Sequence, residues 1–143
     1  MRADGGAGLA GAGAGRCVVT RRQARRQALF LVYQWDLGEG EIGAQYGGEI
    51  DPWARELAEE TVAQAPELDA RITAAAEGWT ADRLGVVERS ALRVAIRELD
   101  RCEVPAEVAI DEAVGFAKRY ATEEAGRLVN GILGRIQREA VKQ

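Results

Sequence analysis

The chain of 143 residues has no histidine, one serine, three prolines and two cysteines. Without histidine, and with Ser90 as the sole serine on a stretch of helical periodicity, no nucleophile–base pair of the usual kind can be assembled. There is no GxxxxGKS/T or GxGxxG loop to cradle phosphate or a dinucleotide. An enzyme is therefore not expected, and no catalytic residue or cofactor is assigned. Cys17 and Cys102 are far apart and form no CxxC, so they build neither a disulfide framework nor, without histidine, a zinc site. They suit a reducing compartment, which makes the cytoplasm the expected location. Few prolines and little apolar/polar alternation argue against an all-β fold. No apolar run approaches the about 18 residues of a membrane span, and the N-terminus lacks the continuous greasy stretch of a signal peptide.

What is present is a composition of 47% apolar and 29% charged residues, that of a soluble globular chain of one domain. The formal net charge is −4, but it is unevenly placed. Residues 1–35 hold six arginines against one acid, Asp4, whereas the rest of the chain carries more acids than bases. Such asymmetry points to a local anionic partner, which net charge alone conceals. Gly5–Gly15 is all Gly and Ala apart from Leu9. Residues 1–19 accordingly read as a flexible tail, or as an overcalled start.

From Thr20 onward the periodicity is helical. Thr20 suits an N-cap for a helix to about Leu37. The glycine-rich 37–51 reads as loop, and Asp51-Pro52 as the cap and first turn of a second helix. Pro66 restarts the chain, with Leu68, Ile72, Ala75 and Trp79 at helical spacing and Gly78 as a stop. Beyond a joint near Thr80–Gly85, helices are expected over Val86–Arg101, Ala106–Ala121 and from Thr122 onward. The expected fold is all-α: two small helical bundles, about 20–80 and 81–143, packed together in a domain over 20–143.

The stretch TRRQARRQALFLVYQW concentrates the positive charge. At 100° per residue, Ala24, Ala28, Leu31 and Trp35 share the core-facing arc. Arg22, Arg26, Leu29 and Tyr33 lie opposite, with Arg21 and Arg25 to one side. These guanidinium groups form either a solvated polar face or a surface for an anionic polymer; no acid follows until Asp36, which favours the polymer, since arginine pairs two-pronged with phosphate and stacks on bases. Leu29 and Tyr33 mark either a protein interface or an inter-bundle contact. Arg89, Arg93 and Arg97 form a second stripe, read either as a solvent face or as basic surface or buried pairing partners. Glu98 lies near an apolar arc and needs a donor, a helix N-terminus or an arginine. Gly126, Gly131 and Gly134 inside a helix suggest close helix–helix approach.

In their order and spacing, RRQARRQALFLVYQW, VVERSALRVAIREL, VPAEVAIDEAVGFAKRY and RLVNGILGRI resemble the NusB family of bacterial transcription antitermination factors, from Thr20 to the end. The resemblance implies an all-α, non-enzymatic, RNA-binding role in rRNA transcription. It implies pairing with the small-subunit ribosomal protein NusE, binding of single-stranded boxA RNA in ribosomal RNA leaders, and a place in the RNA polymerase antitermination complex. Arg21, Arg22 and Arg25 match the family's RNA-contacting N-terminus; Arg26 stands where a relative can carry an acid. Lys118 and the Thr122–Glu124 loop match a further RNA-proximal region, where Glu124 tempers affinity by its charge. Tyr33 and Glu88 match positions that hold NusE. Some members form homodimers that cover the RNA surface, which makes a homodimer a further expected partner. Two other readings are a NusB-like domain related to those of rRNA cytosine methyltransferases and a helical protein-binding adaptor.

Overall fold

The computed structural model describes residues 19–38 and 40–141. The tail expected over 1–19 lies outside the described residues up to position 18, as does Cys17; Val19, at its end, packs on the core. Among the described residues there are six α-helices and no strand: α1 Arg21–Asp36, α2 Pro52–Ala63, α3 Ala65–Ala75, α4 Val86–Arg101, α5 Ala106–Tyr120 and α6 Glu123–Val141. A short 3₁₀ turn, Ala81–Arg83, precedes α4.

Local chemistry sets the helix starts. Thr20 closes a capping box: its Oγ1 accepts from the Gln23 N–H at 3.1 Å, and the Gln23 Oε1 accepts from the Thr20 N–H at 2.9 Å. Asp51 caps α2 by accepting from the N–H groups of Trp53 and Ala54. Thr122 caps α6 through the Ala125 N–H at 2.9 Å. Helix α3 stops at Ala75, earlier than its apolar spacing suggests. Glu77 and Gly78 then take positive φ, +41° and +94°, and turn the chain away. Trp79, at helical spacing with Leu68, Ile72 and Ala75 in the sequence, in consequence leaves their face and is 52% exposed.

Helix α4 is the centre of the molecule and touches α1, α2, α3, α5 and α6. Its residues Ala91, Leu92, Val94, Ala95 and Ile96 are buried in one continuous core with side chains from both halves of the chain. Leu29, expected on the outer face of α1, belongs to that core and is 1% exposed; the α1 arc covered by its neighbours is wider than a single helical stripe. Tyr120, one turn beyond the buried Phe116 on α5, is exposed at the end of its helix.

The arginine stripe of α4 consists of pairing partners. Arg89 donates to Asp36 at 2.9 and 2.6 Å, and Arg93 donates two-pronged to Asp69 at 2.8 Å each. Arg97 donates to Glu60 at 3.2 Å. These ties fasten α1, α2 and α3 to α4. Only one of the three α6 glycines serves a close approach. A Cβ on Gly126 would come 2.4 Å from the Cγ of Lys118, whereas one on Gly131 would meet nothing within 4 Å and one on Gly134 only Arg138 of its own helix.

Candidate nucleic-acid interface

The four clustered arginines of α1 have four different fates. Arg25 is 3% exposed: its Nε and Nη2 donate to the two carboxylate oxygens of Glu98, at 2.6 and 2.7 Å. This corrects the expectation of an outward, RNA-contacting Arg25. The side chain turns inward because α4 supplies a buried carboxylate beneath it, and Glu98 thereby finds the arginine its position required. Arg22 stays exposed (side chain 66%), with its Nε 3.0 Å from the Glu112 carboxylate of α5. Arg21 is exposed and lies over the Trp53 ring, 4.2 Å from its centroid. Arg26 is exposed. Among the described residues neither Arg21 nor Arg26 has a carboxylate at ion-pair distance.

Helix α1 opens on Arg21 and Arg22 with no acid in its first turn, and closes on Asp36 with no base in its last. That is the reverse of what the macrodipole favours, and each misplaced charge costs about 0.3–1 kcal/mol. An external anion at this end would relieve both the dipole and the arginines.

Arg22 and Arg26 line a groove of about 180 Å³ together with Phe116, Arg119 and Tyr120 of α5. Its acidic rim is Asp111 and Glu112. The aromatic floor is braced from α1: the Phe30 ring meets Phe116 and Tyr120 edge-on at centroid distances of 5.2 and 4.9 Å. The Arg119 guanidinium lies 5.7 Å from the Tyr120 centroid. Cationic forks beside a partly exposed aromatic ring can hold a phosphate and present a face to a base.

Lys118 and Glu124 are both exposed but do not line this groove. Lys118 lays its stem over Gly126 and brings Nζ to 3.9 Å from Glu123. Glu124 stands in the first turn of α6. At the other end of α1, Tyr33 is half-buried, as is Glu88 in the first turn of α4. The Asp36–Arg89 pair at 2.6 Å draws those two turns together. With 1.5 Å rise per residue, Tyr33 sits roughly 18 Å along the helix from Arg21. Trp53, Glu112 and Phe30 complete the site without having been expected in it. Trp53 and Glu112 approach from α2 and α5, and Phe30, on α1 itself, enters only through the α5 rings it meets, so no local pattern pairs them with the arginines.

A carboxylate cluster stiffens the ground beneath Trp53. Arg101 is 2.9 Å from Glu60 and lies 5.8 Å from the Trp53 centroid. Burial pushes the Glu60 carboxyl up, but hydrogen bonds from Arg101 and Arg97 outweigh it and hold its pKa below the ordinary 4.5. The folded state thus takes up this proton less readily than the unfolded chain. The resulting stability is present above pH 4.5 and is lost as pH falls through the lower folded value. Urea unfolding of Glu60→Gln is expected to show a deficit against wild type at pH 7 that narrows on acidification below the carboxylate range. A deficit independent of pH would remove the carboxylate from this role.

The comparisons with known proteins agree on one family. A family model described as the NusB family matches residues 22–138. The transcription antitermination protein NusB of Solibacter usitatus is 38% identical over 133 residues, covering 85% of this chain and 91% of that one. The solved structure of T. maritima NusB superposes with a TM-score of 0.73 at 36% identity, covering 85% of this chain and 92% of that one. A crystal structure of antitermination factors NusB and NusE in complex with dsRNA contains a chain matched with a TM-score of 0.71 at 31% identity, over 83% of this chain and 96% of that one.

Proposed function

Because the chain belongs to the NusB family, we propose that it grips single-stranded boxA-type RNA of ribosomal RNA leaders together with NusE, as part of the RNA polymerase antitermination complex in the cytoplasm. The chain is an antitermination factor of that family and not an enzyme. The observation that carries the RNA reading is the positive start of α1, where, among the described residues, Arg21 and Arg26 have no carboxylate at ion-pair distance. Arg21 stands exposed at a helix N-terminus whose dipole is also positive, over Trp53 of α2, and Arg26 stands exposed in the groove floored by Phe116 and Tyr120. Arg22, tethered on one edge by Glu112, and Arg119 extend the cationic rim. Lys118 at the end of α5 and Glu124 at the start of α6 are assigned to the same RNA, the first adding charge and the second subtracting it. Tyr33 and Glu88, at the far end of α1, are assigned to NusE. The separation lets one helix serve RNA and protein at once.

A gel-shift titration tests this. The chain with purified NusE is expected to retard boxA RNA in preference to a scrambled RNA of equal length. Tyr33→Asp should abolish the NusE-dependent part of the shift. Equal retardation of both RNAs with NusE present would refute the boxA assignment.

A further inference from the structure

We propose that Trp53 is a positioning residue: it holds the Arg21 guanidinium stacked and oriented toward the RNA backbone before RNA arrives. This inference rests on the RNA reading above.

The placement of Trp53 is built in several steps. The Asp51 N–H donates to the side-chain Oε1 of Gln27 on α1 at 2.9 Å, which fixes the start of α2 against α1. Asp51 then caps α2, its Oδ2 accepting from the Trp53 N–H at 2.9 Å and the Ala54 N–H at 3.2 Å. Pro52 presets the first turn. The indole is therefore fixed at its backbone and lies half-buried beside the first turn of α1.

Three guanidinium groups surround that ring, at 4.2 Å for Arg21, 5.7 Å for Arg25 and 5.8 Å for Arg101. Two are anchored elsewhere, Arg25 on Glu98 at 2.6 Å and Arg101 on Glu60 at 2.9 Å. They serve as supports for the indole. Arg21 is the nearest of the three and the exposed one, and among the described residues it has no carboxylate partner. A cleft of about 360 Å³ opens beside the stacked pair, lined by Val19, Arg21, Pro52 and Trp53 among others. Asp51 also borders it, but both N–H groups of its cap draw on that carboxylate.

An unconstrained arginine loses much rotamer freedom when it grips a phosphate. One already stacked on indole loses less, because the cation–π contact has ordered the stem and oriented the fork. Trp53 thus raises affinity without touching RNA.

Two measurements test this, on Trp53→Leu and Trp53→Phe, each checked by thermal melting. The first needs no RNA. ¹⁵N relaxation at the Arg21 Nε–Hε is expected to report an ordered side chain in wild type and a nearly free one in Trp53→Leu. Trp53→Phe should lie between, since phenylalanine is a weaker cation–π face; it also carries the test if the leucine variant does not fold. Unchanged order in the variants overturns the proposal. The second is boxA affinity with NusE present. Trp53→Leu should lose about three- to tenfold, the scale of immobilising one long side chain, and should lose nothing further in an Arg21→Ala background. An equal loss in both backgrounds overturns the positioning role. Failure of wild type to bind boxA sinks the RNA reading separately, and the relaxation data still judge the platform.

Discussion

Glu98→Ala is expected to destabilise the fold by about 3–5 kcal/mol, the cost of leaving a buried charge without its partner. Arg25 and Glu98 are 3% and 2% exposed and share a two-pronged pair at 2.6 and 2.7 Å. Removing the carboxylate strands a guanidinium where water cannot reach it. The pair also joins residues 73 apart, binding α1 to α4 and so one half of the molecule to the other. Urea unfolding monitored by circular dichroism reads the effect as a lowered midpoint. The double variant Arg25→Met/Glu98→Leu should recover most of the loss, because an apolar pair of similar volume removes the desolvation problem along with the attraction. A Glu98→Ala variant within 1 kcal/mol of wild type would mean that Arg25 swings out to solvent, and would return it to the list of RNA contacts.

The second large effect concerns RNA. Replacing Arg21, Arg22 and Arg26 together by alanine should weaken boxA binding on the order of 10²-fold, at roughly 1 kcal/mol or more per lost charge-assisted contact. It should also change how binding responds to salt. Each contact to a single-stranded phosphate contributes about 0.7 to the slope of log affinity against log salt, so removing three flattens it by about 2. Arg25 is left out of this set because it is buried on Glu98. An Arg25 variant examined under conditions where it remains folded should keep the wild-type slope. The same slope in the triple variant and wild type would place the RNA elsewhere on the molecule. Since all three arginines are exposed, the triple variant should melt close to wild type, which separates loss of binding from loss of fold.

The arginines of α1 differ by the company they keep. Two chemically identical side chains next to each other in sequence, Arg25 and Arg26, serve different ends. One is a structural cation held by a carboxylate from α4, and the other is exposed beside the aromatic groove.

Much of this was legible in the sequence, because it depends on neighbours a few residues apart. The capping box at Thr20, the Asp51-Pro52 start and the Thr122 start are contacts over two or three residues. The apolar periods of α4 and α5, and the family motifs within them, are likewise local. So is the excess of arginine over acid at the beginning of α1. Even the need of Glu98 for a donor could be read from its place on the helix.

Which donor answered that need could not. The tertiary fold decided that Arg25 turns inward to Glu98, that Arg22 meets Glu112 of α5, that Arg21 lies on Trp53 of α2, and that Phe30 and Tyr120 share a floor. It also decided that Leu29 is covered and Trp79 is not. The physical reason is range. Helical geometry repeats every 3.6 residues and is written in short windows. An ion pair or a stacked ring depends on what packing brings alongside from the far end of the chain. For this protein the sequence alone determined the helices and an unbalanced positive charge; the packing of the helices determined which of those charges stay exposed.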